Sequence, residues 1–158
     1  MKVLLAVDGS PCSEAAVNEV ATRPWPTGSQ VRIVTAYELP PPATTPYTWA
    51  VPTEYFDQLE QAARAGAQAV LDAAAARLAA SLDKSVQVTK EILSGSPRSA
   101  ITEEADRWQA DLIVLGSHGY SAWHRFLLGS VSQAVVSHAK CSVEVVRSHD
   151  VAQKKLAA

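Results

Sequence analysis

Short apolar runs alternate along this chain with longer alanine-rich stretches in which apolar residues recur every three or four positions. Runs of the first kind are typical of buried strands, and stretches of the second kind are typical of helices with one apolar face. Their alternation predicts an α/β fold in which β-α units wind an open parallel sheet with helices on both faces. The predicted strands are Lys2 to Val7, Val31 to Tyr37, Val86 to Ile92, Leu112 to Leu115 and Val143 to Arg147.

The tripeptide Gly-Ser-Pro marks two predicted helix starts, at Gly9 to Pro11 and at Gly95 to Pro97. Serine is a favoured N-cap, and proline suits the first helical position because an N–H there would have no helical partner. The long alanine-rich helix raises the alternative of a coiled coil, but its heptads are not sustained, which favours a helix lying on the sheet. The predicted helices are Pro11 to Ala21, Pro52 to Leu82, Pro97 to Gln109 and Ser130 to His138.

The segment from Leu39 to Pro52 carries five prolines between the second strand and the long helix. So many prolines exclude regular secondary structure. The segment is interpreted either as a mobile connection or as a flap whose aromatic residues, Tyr47 and Trp49, cover a ligand or a partner.

The length of 158 residues fits one domain, and the 47% share of hydrophobic residues is enough for a sizeable core. We expect residues 1–147 to form this domain and residues 148–158 to form a polar, loosely held C-terminal tail. The net charge of -2, with 14 Lys and Arg residues spread along the chain, argues against a nucleic-acid surface. Any phosphate partner is therefore expected to be a small molecule.

Several features indicate a protein that stays in the cytoplasm. Asp8 interrupts the N-terminal apolar run too early for a signal peptide, and no apolar run approaches the roughly 20 residues that span a bilayer. Cys12 and Cys141 lie far apart and match no metal or redox spacing. We expect a reduced protein with no membrane contact and no metal site made only of protein ligands.

Three of the seven glycines follow the apolar run Leu112 to Leu115, in Gly116-Ser-His-Gly119 and, after nine intervening residues, Gly129-Ser130. Glycines at a strand end let backbone N–H groups approach an anion, and a Gly-Ser pair opening a helix adds amides at the positive end of the helix dipole. The pattern predicts a phosphate site, with glycines that only shape turns as the alternative. No Gly-x-Gly and no Gly-Lys occurs, which excludes a Rossmann fingerprint and a P-loop, and a nucleophile elbow is also absent.

The spacing of these glycines resembles the ATP-binding signature of the universal stress protein family. Val3 to Ser10 is similar to the opening strand and acidic turn of that family, Ala110 to Gly119 to its fourth strand, and Leu127 to Ser132 to its helix entry. The resemblance covers nearly the whole chain. It implies an adenine nucleotide alpha hydrolase-like fold with five parallel strands in the order 3-2-1-4-5. The nucleotide would lie at the carboxyl ends of strands one and four, where ligands of open α/β sheets also sit by a general rule.

The resemblance also implies which residues bind the nucleotide. Asp8 would face the adenosine, although an Asp-Gly turn that bonds its own backbone is the alternative. Ser130 would give a hydroxyl and an amide to phosphate, and it is equally suited to be a helix N-cap. The ligand would be ATP, or ADP or AMP, with Mg²⁺ or Mn²⁺ bound through the phosphates. The complete predicted set is Ala6, Asp8, Ala36, Leu115, Gly116, Ser117, His118, Gly119, Gly129, Ser130, Val131 and Ser132.

The chain departs from the family pattern at two places. Tyr120 to Trp123 stand where the family often has a basic residue and another glycine, which leaves Arg125 as the only cation in the connecting segment. Glu144 interrupts the apolar last strand. Because the family commonly pairs this strand with its mate in a second subunit, the resemblance implies a homodimer through Val143 to Arg147. We expect Glu144 to lie on a solvated face or to meet a cation across that interface.

The leading hypothesis is a nucleotide-dependent regulatory module of the stress response that acts as a dimer. No catalytic base or activated nucleophile is evident, so any ATP hydrolysis should be slow. Two alternatives stay open at this point. One is a slow ATPase or nucleotidyl-transfer enzyme on the same fold, and the other is a nucleotide-free dimerisation module.

Overall fold

The structure is a computed structural model that describes residues 1–39, 53–119 and 128–148. Strands and helices alternate throughout, as the sequence pattern predicts. The predictions about the proline-rich segment, about Tyr120 to Arg125 and about the C-terminal tail beyond Ser148 lie outside the described residues. The elements are β1 (Lys2–Ala6), α1 (Pro11–Thr22), β2 (Gln30–Tyr37), α2 (Thr53–Ala79), β3 (Gln87–Ser94), α3 (Pro97–Trp108), β4 (Leu112–Gly116), α4 (Ser130–His138) and β5 (Ser142–Val146).

The five strands form one sheet in the order β3-β2-β1-β4-β5, and every strand pairing in the described part of the chain is parallel. The predicted α/β fold and its strand order are therefore confirmed. At the carboxyl end of β1, Ala6 stands opposite Val34 of β2 on one side and Leu115 of β4 on the other. The carboxyl ends of β1 and β4 thus lie side by side, and β2 continues beyond them to Tyr37.

Helices cover the sheet on both faces, and the alternation of side chains along β1 shows how. Val3 and Leu5 pack into a core with α1 and α2, whereas Leu4 and Ala6 pack into a second core with α3 and α4. All four side chains are buried. A central parallel strand covered on both faces has no polar positions, which explains why the sequence of β1 is apolar without a period of two.

Hydrogen bonding to neighbours corrects several predicted boundaries. The last strand runs over Ser142–Val146 instead of Val143 to Arg147, because Ser142 pairs with Leu112 and Val146 pairs with Gly116, where β4 ends. The third strand begins one residue later than predicted and continues to Ser94, in register with Tyr37 of β2.

Glu144 of β5 meets its cation within the same chain. Both terminal nitrogens of the Arg23 guanidinium donate to its carboxylate, with Nη1–Oε2 and Nη2–Oε1 distances of 2.7 Å. Arg23 follows α1, and the ring of Trp25 lies under its guanidinium at 5.3 Å from the centroid. Glu144 was expected to lie on a solvated face or to meet a cation from a second subunit; in the structure its cation is the C-cap residue of α1, which ties that helix to the edge of the sheet.

Candidate functional site

A cleft of about 300 Å³ opens at the carboxyl ends of β1, β2 and β4. All the residues predicted from the sequence line this cleft except Ser117. The structure adds residues that the sequence did not indicate. The described lining consists of Ala6, Val7, Asp8, Ser13, Val34, Thr35, Ala36, Pro97, Ile101, Leu115, Gly116, His118, Gly119, Gly129, Ser130, Val131 and Ser132.

Two of the six lining residues that the sequence analysis missed come from α3. Pro97 and Ile101 belong to the first turns of this helix, which packs beside α4 on the same face of the sheet. Nothing in their local sequence separates them from ordinary helix residues. They reach the cleft because the strand order brings the start of α3 over the ends of β2 and β1. With Val34, Leu115 and Val131 they form an apolar wall.

Asp8 follows β1 and is held by the start of α1. Its backbone N–H donates to Ser13 Oγ at 3.1 Å, and its Oδ1 accepts from the backbone N–H of Ser10 at 2.9 Å. The second contact closes an Asp-Gly turn through the aspartate side chain, as the alternative interpretation of this residue predicts. The other oxygen, Oδ2, faces Gly119, so the carboxylate closes the turn and also lines the cleft.

The loop after β4, Ser117 to Gly119, is anchored by three different elements. The N–H of Ser117 donates to the carbonyl of Val146 at 2.7 Å. The carbonyl of Ser117 accepts from the N–H of Gly129 and from Ser132 Oγ, each at 2.8 Å. The carbonyl of His118 accepts from Ser10 Oγ at 3.2 Å. The loop is therefore tied to β5, to α4 and to α1.

Two of the predicted hydroxyls are directed at the protein itself. Ser117 is 2% exposed, and its Oγ lies 3.6 Å from Cys12 Sγ and 3.2 Å from His118 Nδ1, away from the cleft. The hydroxyl of Ser132 bonds the carbonyl of Ser117 and lies 2.9 Å from the carbonyl of Gly129. These two serines can therefore contact a ligand mainly through their backbone groups.

The start of α4 has an unusual cap. Gly129 occupies the N-cap with φ of −61° and ψ of 156°, so Ser130 is the first helical residue and does not cap the helix. Because Gly129 has no side chain, the first turn receives no capping hydrogen bond from one. The N–H groups of the first helical turn have no helical partner. They therefore lie at the cleft as donors for an anion.

The glycines of the motif are needed because neighbouring atoms approach them closely, and not because their backbone angles are unusual. In the described residues the glycines with positive φ are Gly9, Gly28 and Gly95, none of which belongs to the motif. A Cβ on Gly116 would stand 2.6 Å from the backbone carbon of Cys12, so this glycine lets α1 approach β4. A Cβ on Gly129 would stand 3.2 Å from the carbonyl oxygen of Ser117.

The charge of the cleft limits what can bind there. Its described lining contains one carboxylate, Asp8, and one imidazole, His118, but no Lys or Arg. The described part of the chain also holds no group of three or more side chains suited to a metal ion. A phosphate in this cleft would be met by amide dipoles of the described lining. No helix within the described ranges is long and apolar enough to cross a membrane.

The fold and the cleft together define an open parallel α/β domain whose cleft lies where the strand order reverses, which is the usual ligand position in such sheets. The sequence profile of the universal stress protein family matches residues 1–147, so the chain belongs to this family. A universal stress protein of Mycobacterium tuberculosis is 35% identical over 154 residues, which are 94% of this chain and 48% of that relative. The chain spans about half the length, or less, of the curated relatives it matches.

Two solved structures of the family are similar over nearly their whole length. The universal stress protein UspA from Lactobacillus plantarum has a TM-score of 0.74 and 26% identity, covering 93% of this chain and 97% of its own. A universal stress protein crystallised in complex with cAMP has a TM-score of 0.66 and 26% identity, covering 94% of this chain and 97% of its own. The second of these relatives is a nucleotide complex.

Proposed function

We propose that this protein binds an adenine nucleotide in the cleft between β1 and β4 and acts as a nucleotide-dependent regulatory module of the stress response. ATP is the proposed ligand, with ADP and AMP as the forms that share its adenosine, and Mg²⁺ or Mn²⁺ is bound through the phosphates. The observation that carries the proposal is that one cleft is lined both by a helix start at Gly129 that lacks a side-chain capping bond and by the Asp8 carboxylate.

The two walls suit the two ends of a nucleotide. Asp8 is an acceptor, so it can take hydrogen bonds from ribose hydroxyls or from an exocyclic amino group. The amides of Ser130 and Val131, together with the hydroxyl of Ser130, are donors that suit phosphate oxygens. Between them, the apolar wall that includes Ile101 can cover the face of a base. The relative in complex with cAMP supports a nucleotide as the class of ligand.

The phosphates would not be neutralised by a basic side chain from the described lining. Backbone amides carry only partial charges, and Asp8 adds a negative charge to the cleft. We therefore propose that the divalent cation contributes to affinity and that binding of ATP depends on it more strongly than binding of AMP, which has fewer phosphates.

The proposed assembly is a cytoplasmic homodimer through β5. This strand lies at the edge of the sheet and, in the described structure, pairs with β4 only. An edge strand presents unpaired backbone groups to a partner, and three valines of β5 are only partly buried in a single chain. The thiols of Cys12 and Cys141 are both free, which suits a reducing compartment.

The test begins with the nucleotide that the protein itself carries. Freshly purified protein is denatured, and the released small molecules are identified by mass spectrometry. Thermal melting is then recorded with ATP, ADP, AMP, cAMP and GTP, each with and without Mg²⁺. A ligand at a hundred times its Kd adds about 2.7 kcal/mol, which corresponds to a rise in Tm of roughly 5–11 °C for a domain of this size. No rise with any adenine nucleotide would overturn the proposal.

The same preparation decides between a binding module and an enzyme. Prolonged incubation with ATP and Mg²⁺ is followed by chromatography of the nucleotides, with an Asp8→Ala variant as the control. We expect ATP to remain intact or to be hydrolysed very slowly. Turnover that Asp8→Ala abolishes in a folded protein would assign an enzyme instead.

A further inference from the structure

Ser10 is the buried link between the start of α1 and the loop after β4. Its side chain is 1% exposed, and Ser10 is absent from the described lining of the cleft. Its Oγ accepts from the backbone N–H of Ser13 at 3.3 Å, which caps α1. The same Oγ donates to the carbonyl of His118 at 3.2 Å, 108 residues away in sequence. One hydroxyl thus makes a local cap and a long-range contact.

The second contact fixes the orientation of a peptide group in the cleft. In a trans peptide the C=O of one residue and the N–H of the next point in opposite directions, and the described residues contain no cis peptide bond. Because Ser10 holds the carbonyl of His118, the N–H of Gly119 is directed away from α1. Ser132 acts in the same way on the preceding peptide, whose carbonyl belongs to Ser117.

The two Gly-Ser-Pro tripeptides differ at this point although their sequences are identical. Ser96 occupies the N-cap of α3, but its side chain makes no capping hydrogen bond. Ser10 makes its capping bond and also reaches the other half of the cleft. The two serines thus share a local sequence but differ in their contacts, because Ser10 makes a long-range hydrogen bond in addition to its capping bond.

We propose that Ser10 is a positioning residue for the nucleotide: its hydroxyl holds the His118 peptide so that the amide of Gly119 is oriented before the ligand arrives. The inference rests on the proposed function, because it assigns the oriented amide to the phosphate end of a bound nucleotide. Ser10 itself does not touch the ligand. Without its hydrogen bond the loop would sample other orientations, and binding would have to select the competent one.

The test compares three variants at the N-cap serines of the two Gly-Ser-Pro tripeptides. Ser10→Ala removes the cap and the long-range contact, Ser10→Thr keeps a hydroxyl that can make both, and Ser96→Ala changes the serine of the other tripeptide. Titration calorimetry with ATP and Mg²⁺ gives Kd, and urea denaturation gives stability. We expect Ser10→Ala to raise Kd by about tenfold, the effect of one lost hydrogen bond. Ser10→Thr should restore most of the affinity, and Ser96→Ala should leave Kd unchanged.

A purely capping role gives a different result. It would lower the urea midpoint of Ser10→Ala but leave the Kd of the folded protein at the wild-type value, and this outcome overturns the inference. A second measurement needs no ligand: the amide resonance of Gly119 is compared between the nucleotide-free wild type and Ser10→Ala. We expect it to move, and an unchanged resonance also overturns the inference. Absence of ATP binding by the wild type with a shifted Gly119 resonance would instead refute the proposed function.

Discussion

Gly119 and the Asp8 carboxylate lie so close together in the lining of the cleft that a Cβ atom on Gly119 would stand 2.7 Å from Asp8 Oδ2. No other heavy atom outside the neighbouring residues and the Asp8 carboxyl comes within 4 Å of that position in the described structure. The two residues come from opposite halves of the chain and meet only at the point where β1 and β4 end. Glycine is needed here because it leaves room for the carboxylate.

The first prediction concerns replacement of Gly119. In Gly119→Val the branched side chain would displace the Asp8 carboxylate and fill the cleft, while the fold persists because the clash involves the free end of a side chain. We expect the variant to melt cooperatively and to lose the rise in Tm that adenine nucleotides give the wild type. Differential scanning fluorimetry with saturating ATP and Mg²⁺ measures both properties.

Gly66→Ala is the matched control for that experiment. Gly66 lies within α2, and a Cβ there would meet no atom within 4 Å. The replacement should stabilise the folded protein by about 0.5–1 kcal/mol, because alanine has the higher helix propensity. Nucleotide binding should not change. A Gly119→Val protein that bound ATP like this control would show that the loop is not part of the site.

A second prediction separates Gly116 from Gly119. A Cβ on Gly116 would stand 2.6 Å from the backbone carbon of Cys12 and 2.7 Å from the backbone nitrogen of Ser13. Backbone atoms of α1 cannot rotate away as a side chain can, so Gly116→Ala must push the helix off β4. We expect a loss of about 1–3 kcal/mol in the free energy of unfolding, typical of overpacking. Urea denaturation measures it, and a midpoint equal to that of the wild type would contradict the close-approach role.

The sequence predicted the elements of this fold well because short apolar runs alternate clearly with longer alanine-rich stretches of helical period. The strand order could not follow from the same pattern, since apolar runs such as Leu112 to Leu115 do not reveal their neighbours. It was implied by the family resemblance. The glycines located the cleft, but their sequence did not show that Gly116 makes room for α1. The sequence also could not predict the partner of Glu144, because Arg23 lies 121 residues away in sequence and the two meet only in the folded chain.

A third prediction concerns the ion pair between Arg23 and Glu144. The contact is bidentate, and both side chains are about 30% exposed, at 31% and 29%. The hydrogen bonds to Glu144 and Glu19 raise the pKa of Arg23 above the ordinary value of an arginine, so its charge is constant over the accessible pH range. A double-mutant cycle of Arg23→Ala and Glu144→Ala should give a coupling of about 1 kcal/mol, the upper end for partly exposed pairs.

The pair between Arg64 and Glu60 provides the comparison. It joins residues one helical turn apart in α2, and its side chains are 61% and 41% exposed. Its coupling should be no more than about 0.5 kcal/mol. Both couplings should fall when urea denaturation is repeated at 1 M salt, since exposed charges are screened. Equal couplings for the two pairs would show that the contact between Arg23 and Glu144 is no stronger than an ordinary surface ion pair.

The last prediction concerns the thiol of Cys141, just before β5. Burial raises the pKa of this thiol, and the negative charges of Asp106 and Asp111 act in the same direction. At pH 8 the thiolate fraction, and with it the rate of alkylation, should be lower than for an unperturbed cysteine. In a Cys12→Ser variant, iodoacetamide labelling followed by mass spectrometry should be slow in buffer and should speed up in urea.

The same shift has a consequence for stability. A thiol whose pKa is raised by folding stabilises the native state fully below its unfolded pKa, and this contribution is lost as the pH rises through the folded pKa. The urea midpoint of the Cys12→Ser protein should therefore fall between about pH 8 and the folded pKa, because an unperturbed thiol titrates near 8.5. Adding Cys141→Ser should remove this part of the pH dependence, since serine does not titrate there. An identical fall in both proteins would assign it to other groups.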